Sequence, residues 1–306
     1  MDQRIEFRHL RYFLALAEEL HFGRAARRLH IAQPALSQQI RQLEKITGTD
    51  LFRRTSRSVQ LTEAGAAFRP RAHDLLLRLA ADLDEAGRIG RGESGRLDVA
   101  YITSATAVVS EHLRAFSRNR PDVQVKLHDG FTTDVLTALA RGTADVGIVR
   151  DAEEQDDIAL SPLMSERFVA VVPADHPAAR DAARDGDRVP ARALAGDPLI
   201  LFPRTAGSRA FELNTQPLRD AGAVVRVAQE CSSWHTIIMF VAAGLGVTIA
   251  PHSATTLLPA GARRLELAGP PVISQVSAAT RRGDDRPLVR AFLPAGQPNG
   301  IRVKVD

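Results

Sequence analysis

The chain has 306 residues, of which 44% are hydrophobic and 25% charged, enough to bury the cores of about two domains. Its net charge of +4 is uneven, because residues 1–58 carry eleven basic and six acidic side chains and the remainder nets −1. A basic head on a nearly neutral body fits a polyanionic partner for the head alone. The single cysteine, Cys231, excludes an intramolecular disulfide and favours a reducing compartment.

Neither a signal peptide nor a membrane span is predicted. The first residues contain no apolar run of signal-peptide length, and the most apolar stretch, residues 237–250, is shorter than the ~18 residues that a span needs. The histidines show no pair at metal-ligand spacing, and no nucleophile lies beside a base. We therefore expect a cytoplasmic protein with no metal, no cofactor, no membrane partner and no enzymatic activity.

The first 62 residues carry the pattern of a winged helix-turn-helix. An amphipathic helix at 7–20 is followed by a short helix at 24–29 and a turn at His30 and Ile31. A second helix begins near Pro34 and ends at Gly48, with Leu36, Ile40 and Leu43 inward at helical spacing. Val59 and Leu61 then pair back across a basic tip at 53–57, which forms the wing.

The outer face of the second helix and the wing supply the predicted DNA contacts. Taken alone, this polar face is more simply explained as the solvent-exposed face of a surface helix. Together with the basic wing, it is the set of side chains that reads base edges and holds phosphates from a major groove. We predict Gln38 as a base reader and Arg41 and Arg53 as phosphate ligands. The full candidate set is Gln33, Pro34, Ser37, Gln38, Arg41, Arg53 and Arg54.

Residues 63–95 are predicted to be a linker. Apolar residues at 72, 76, 79, 83 and 86 step by four and three, which indicates a helix-pair seam, or else a helix lying on its own domain. Pro70 is expected to kink or restart this helix. Four glycines between 87 and 95 predict a hinge.

Residues 96–306 alternate strand-like and helical segments, which predicts an α/β domain with parallel sheet. The late strands are expected to return to the first half, giving two lobes joined by crossing strands. Residues 178–195, rich in Arg, Asp and Ala, are predicted to be a mobile surface connection. The predicted strands are 97–102, 123–127, 145–149, 168–172, 199–202, 224–228, 247–250, 264–267 and 273–279, and the predicted helices 104–119, 132–141, 207–221, 232–243 and 287–293.

Three helix starts in this domain share a chemistry suited to an anion. Each offers free N–H groups and a hydroxyl where a strand ends. Arg150 adds a cation that can grip a carboxylate in two places. Ordinary N-capping by the hydroxyls, and solvated surface charge for Arg150 and Arg204, are the competing interpretations. The candidate effector-binding residues are Ser104, Thr132, Arg150, Phe202, Pro203, Arg204 and Thr205.

Residues 7–20, 25–44 and 51–65 resemble, without gaps, the most regular segment of the LysR-type transcriptional regulators. Ala32, where many members carry Ser or Thr, and Pro70 depart from that pattern. YITS at 101–104, GFTT at 130–133 and VRD at 149–151 resemble the members that regulate breakdown of aromatic compounds.

This resemblance implies an α+β protein: a winged helix-turn-helix at 1–62, a linker helix and hinge at 63–95, and at 96–306 a two-lobed effector domain like a periplasmic binding protein. It implies binding to double-stranded DNA, dimerisation through the linker helix with assembly to a tetramer, and an aromatic acid or dicarboxylate as inducer in a cleft between the lobes. The alternatives from other classes are an α/β small-molecule-binding protein, which would need an export signal and no basic head, and an enzyme tethered to DNA by the N-terminal domain.

Overall fold

A computed structural model describes residues 5–55, 58–183 and 186–293, so two residues of the predicted wing tip and the last residues fall outside it. The described chain separates into two compact units between Arg88 and Ile89. Each unit has its own hydrophobic core.

The first unit is a winged helix-turn-helix. Its helices are α1 Phe7–Glu19, α2 Phe22–Arg28 and α3 Gln33–Thr47. Leu36, Ile40 and Leu43 are fully buried, so the predicted inward face of α3 is confirmed. His30 and Gly48 take the left-handed conformation (φ 56° and 72°) at the predicted turn and helix end.

The wing pairs as predicted. Strands β1 Phe52–Arg54 and β2 Val59–Leu61 are antiparallel, with Phe52 opposite Leu61 and Arg54 opposite Val59. The next helix packs closely under this hairpin, since a Cβ added at Gly65 would lie 2.1 Å from the carbonyl oxygen of Leu51. Only glycine fits there without displacing backbone.

The linker helix α4, Glu63–Gly90, runs through Pro70 without a break, so the predicted restart is wrong. Ala72, on the turn after the proline, is fully buried in the core of the first unit, and that packing holds the helix where a hydrogen bond is lost. The predicted seam therefore cannot start at Ala72, which lies inside its own domain. Leu83 further along the seam remains 65% exposed.

The first lobe of the second unit contains strands β3 Ser94–Ile102, β4 Asp122–Gly130 and β5 Val146–Arg150, and helices α5 Thr106–Asn119 and α6 Thr132–Ala140. Parallel pairing of β3 with β4 and β5 confirms the predicted parallel sheet. The later elements β12 Ile273–Arg281 and α10 Pro287–Phe292 return to this lobe, where β12 pairs with β5.

The second lobe is linked to the first by one long strand, β6 Ile158–Pro173. Residues 158–167 of β6 pair with β12, and residues 168–173 pair with two strands of the second lobe, β10 Thr248–Pro251 and β11 Ala262–Leu267. The other elements of that lobe are α7 Pro177–Ala182, β7 Arg188–Val189, β8 Leu199–Leu201, α8 Ser208–Asp220, β9 Val227–Glu230 and α9 Trp234–Ala242. The chain also returns from β11 in the second lobe to β12 in the first, so the predicted two lobes joined by crossing segments are confirmed.

Residues 178–195 are not a surface connection over their described part. Helix α7, strand β7 and a 3-10 turn at Ala191–Leu194 occupy this stretch. Ala179, Ala182 and Leu194 are at most 2% exposed and belong to the core of the second lobe. Alanines at this spacing bury one side of a short helix, whereas the charged residues between them stay outside.

Candidate functional site

The outer face of α3 is open along its length. Gln33, Pro34, Gln38 and Arg41 are exposed, and Ser37 is half-buried. Ala32 precedes the helix without a side-chain cap, and its first-turn N–H groups therefore have no side-chain partner there. This surface combines amide, hydroxyl and guanidinium groups with a positive helix end, which suits a nucleic acid backbone and base edges.

Arg41 lies back along the helix toward Ser37. Its Nη2 donates to the Ser37 hydroxyl at 3.3 Å and its Nε to the Ser37 carbonyl at 3.4 Å. Both contacts are long and exposed, so they leave the guanidinium free to turn outward to a phosphate.

The two wing arginines within the described residues, Arg53 and Arg54, differ in their surroundings. Arg53 is exposed, and within the described residues its side chain has no hydrogen bond or ion pair. Arg54 instead forms an ion pair with Glu44 and lies over the ring of Phe22 at 5.3 Å. Arg53 is therefore available to a phosphate, whereas Arg54 joins the wing to the helices.

Glu44 is the residue of this region that the sequence pattern did not reveal. It lies on the inner side of α3, 8% exposed, and its Oε1 accepts the backbone N–H groups of Leu51 and Phe52, both at 3.1 Å. Its Oε2 pairs with Arg54. One carboxylate thus fixes the start of the wing against the recognition helix.

In the second unit, a cavity with about 440 Å³ of empty space, part of it open to solvent, lies between the two lobes. None of the side chains that line it is acidic. From the first lobe come Ile102, Thr103, Ser104, Gly130, Phe131, Thr132 and Arg150, and from the second lobe Phe202, Ala206, Ala210, Ser232, Ser233, Trp234 and Ile237.

Arg150 is the only charged residue in this lining, and it is not a surface charge. Its side chain is 4% exposed and its Nη1 donates to the equally buried Glu166 at 2.8 Å and to the Ser274 hydroxyl at 2.8 Å. Glu166 also accepts from the N–H of Ser253 at 2.6 Å and its hydroxyl at 2.8 Å. Because β6 carries Glu166 and Ser253 belongs to the second lobe, this ion pair ties the cavity wall to the strand that joins the lobes.

Two of the predicted hydroxyls face this arrangement in different ways. Ser104 Oγ accepts from Arg150 Nε at 3.1 Å, which leaves its own hydrogen for a ligand. Thr132 donates to the carbonyl of Arg150 at 3.2 Å and is 8% exposed. Neither is a helix N-cap, since the caps of α5 and α6 are Ala105 and Phe131.

Of the predicted segment 202–205, only Phe202 lines the cavity. The Arg204 side chain is 65% exposed and pairs with Glu212 over the ring of Phe211. Thr205 contributes its carbonyl oxygen, which accepts from the Thr133 hydroxyl of the opposite lobe at 3.3 Å. Residues 203–205 therefore lie at the rim of the cavity, where they contact the opposite lobe, and they do not line the cavity.

The sequence pattern undervalued the start of α9. Trp234, which is not among the predicted site residues, lines the cavity and packs edge-on against Phe202 with ring centroids 5.8 Å apart. Ser233 caps the helix by accepting from Thr236 N at 3.2 Å. The signal was present in the sequence: two serines directly before a helix that follows a strand, as at the other predicted helix starts.

Beside the cavity, Asp151 has its pKa raised by burial, an effect that bonds from the Gln275 N–H and the Ser274 hydroxyl oppose. Burial also raises the pKa of the Cys231 thiol, which keeps it protonated and unreactive. The described part of the chain contains no cluster of three or more potential metal ligands. None of its helices has the length and apolarity needed to cross a membrane.

Two family models match the chain in the same order as its two units. A model described as "Bacterial regulatory helix-turn-helix protein, lysR family" matches residues 7–66. A model described as "LysR substrate binding domain" matches residues 90–295.

Individual relatives agree with both models. The uncharacterized HTH-type transcriptional regulator YnfL of Escherichia coli is 38% identical over 81% of this chain and 83% of its own length. The regulator CatR of Pseudomonas putida is 33% identical over 94% and 97%. A crystal structure of full-length CbnR complexed with its target DNA matches with a TM-score of 0.77 and 27% identity, covering 94% of this chain and 97% of that one. These relatives are named as transcriptional regulators, the class of protein that the resemblance implies.

Proposed function

Since this chain belongs to the LysR family of bacterial transcriptional regulators, we propose that its DNA affinity or bending changes when a small organic anion binds between the lobes of the second unit. The anion is of the aromatic-acid or dicarboxylate kind that the resemblance implies. A DNA partner also supports a cytoplasmic location.

The proposal that a small organic anion binds rests on the residues that line the interlobe cavity. Two helix starts from different lobes, α6 and α9, line it, and no carboxylate does. At α9 the first turn contains no acidic residue and Ser233 accepts only the Thr236 N–H, so this helix start favours an anion, whereas at α6 Asp134 already accepts the N–H of Phe131. A ligand that touches both lobes binds the closed arrangement better than the open one, and such a difference in affinity is what shifts a conformational equilibrium.

In the first unit, we expect α3 to contact base edges and the wing to contact phosphates. With a duplex selected from a random-sequence pool by the full-length protein, we expect Gln38→Ala to reduce the preference for that duplex over random DNA by ~1–3 kcal/mol. Arg53→Ala should weaken binding to both DNAs and lower the salt slope by about one. Equal losses on both DNAs for Gln38→Ala, measured by fluorescence anisotropy, would remove it as a base reader.

For the cavity, Ser104→Ala is the sharper of the two hydroxyl variants, because the Thr132 hydroxyl already bonds the backbone of Arg150. After a thermal-shift screen of organic acids, we expect Ser104→Ala to bind the tightest acid tenfold to a hundredfold more weakly by isothermal titration, since one hydrogen bond to a charge is lost. Binding of this variant to the selected duplex in the absence of acid should be unchanged. Unchanged acid affinity in Ser104→Ala would place the ligand elsewhere.

We further propose that the chain is a homodimer through α4, with assembly to a tetramer. Leu75 and Leu83 are 51% and 65% exposed and lie on one side of this helix with the half-buried Leu79 between them, an apolar stripe that a second helix would cover. Two heads held in this way would read half-sites about one helical turn apart or a multiple of it. A monomer mass for the wild type in light scattering would refute the dimer.

A further inference from the structure

A second open space adjoins the interlobe cavity. A groove with about 1040 Å³ of empty space shares Thr103, Ser104 and Trp234 with that cavity, so the two meet at these residues. We call it the tail groove. Its remaining lining is Thr106, Ala107, His235, Ile238, Met239, Ser253, Ala254, Thr256, Leu257, Leu258 and Pro259.

The tail groove exposes apolar side chains that nothing in the described chain covers. Leu257 is 89% exposed and Met239 is 45% exposed, and both line the groove. Exposed apolar surface that continues from a ligand cavity is a place where an apolar part of a ligand gains by leaving water.

The charged residues that line the two spaces distinguish ligands with one carboxylate from ligands with two. Arg150 is the only Lys, Arg, Asp or Glu that lines either space, and Glu166 already neutralises it at 2.8 Å. His235 is the only titratable residue of the tail groove. One carboxylate can be held at the cavity by hydroxyls and helix N–H groups, but a second carboxylate placed against the apolar lining of the groove would lose part of its hydration and find no cation there in return.

We propose that the effector is a singly charged acid whose carboxylate lies at Ser104 and the start of α9 and whose apolar tail lies in the tail groove. This inference rests on the proposed effector site and narrows its ligand class: acids with two carboxylates at opposite ends are disfavoured.

Three probes test this with the full-length protein. Benzoate is the probe for the cavity alone, 4-butylbenzoate adds an apolar tail, and 4-(3-carboxypropyl)benzoate carries a second carboxylate on a chain of similar length. By isothermal titration we expect 4-butylbenzoate to bind at least tenfold more tightly than either of the others, because burying CH₂ groups is favourable and an unpaired charge is not.

A matched pair of variants locates the tail. Ala107→Trp should fill the groove and remove the advantage of the butyl group while leaving benzoate affinity unchanged. Ala115→Trp places the same side chain at another exposed position of α5, outside both linings, and should keep the advantage.

The possible results distinguish a failure of this inference from a failure of the proposed effector function. If benzoate binds but the butyl group adds nothing, or the two-carboxylate acid binds as tightly, the inference is wrong and the effector site stands. If the butyl advantage survives in both tryptophan variants, the tail lies elsewhere and the inference is also wrong. If no acid of the three or of the wider panel binds, the proposed effector function fails as well.

Discussion

Glu166→Ala is expected to lower the free energy of unfolding of the second unit by about 3–5 kcal/mol, the usual effect of leaving one member of a buried ion pair alone. Arg150 and Glu166 are both 4% exposed, so water cannot replace the lost partner. The N–H and hydroxyl of Ser253 would lose their acceptor in the same step.

The single tryptophan makes this change measurable in one unit. Trp234 lies in the second unit, so its fluorescence during urea unfolding of the full chain reports that unit alone. Asp285→Ala is the control, because Asp285 pairs with Arg290 at the surface with 77% of its side chain exposed. We expect that variant to stay within about 0.5 kcal/mol of the wild type.

A double variant distinguishes the ion pair from simple loss of packing. Arg150→Met combined with Glu166→Leu removes both charges and fills a similar volume, so it should recover most of the stability lost in Glu166→Ala. If Glu166→Ala costs less than about 1 kcal/mol, the pair does not hold the cavity wall to β6 and the coupling between them has to be carried by other contacts.

Glu44→Ala is expected to have the second-largest effect, about 2–4 kcal/mol, in the first unit. It removes the acceptor of the N–H groups of Leu51 and Phe52 and the partner of Arg54, and buried donors without partners cost about 1–3 kcal/mol each. The wing would lose its fixed position against α3, so binding to specific and random DNA should both weaken.

Hydrogen exchange measures the loss of protection at the backbone amides of the wing directly. Peptides that cover residues 49–54 should exchange faster in Glu44→Ala than in the wild type, because the acceptor of two of their amides is gone. Glu44→Gln keeps a carbonyl oxygen for these amides and loses only the charge beside Arg54, so it should fall between the two. Equal protection in all three proteins would show that the wing is held without Glu44.

The sequence predicted the first unit well because its structure is local. The inward leucines of α3, the left-handed Gly48 and the hairpin register each depend on neighbours within a few residues. Side-chain partners across elements were not predictable in the same way. Arg54 belongs to the proposed DNA-contacting set by its position in a basic wing, yet its partner Glu44 lies ten residues earlier on the inner side of a helix.

In the second unit, the sequence pattern missed the part of β6 that matters most. Residues 158–167 contain Pro162, which lacks an N–H and lies next to an irregularity in the pairing with β12. The segment therefore lacked the apolar run that marks a buried strand. Without it, the ion pair between Arg150 and Glu166 could not be predicted, although Arg150 does line the cavity.

Segment 203–205 illustrates the same limit at the cavity. Its position after a strand and before a helix is the pattern of a ligand-binding turn, but which side chains face the cavity depends on how the two lobes close. The contact between Thr133 and the Thr205 carbonyl, 3.3 Å across the lobes, turns this segment into an edge.

The central claim, that a ligand between the lobes acts on DNA binding, is tested most directly by titrating the tightest acid of the panel into the full-length protein with and without its selected duplex. Coupling between two sites is reciprocal, so DNA must change the affinity for the acid by the same factor by which the acid changes the affinity for DNA. We expect the dissociation constant of the acid to change at least fivefold, about 1 kcal/mol, when the duplex is bound. Identical dissociation constants in the two titrations would contradict the claim.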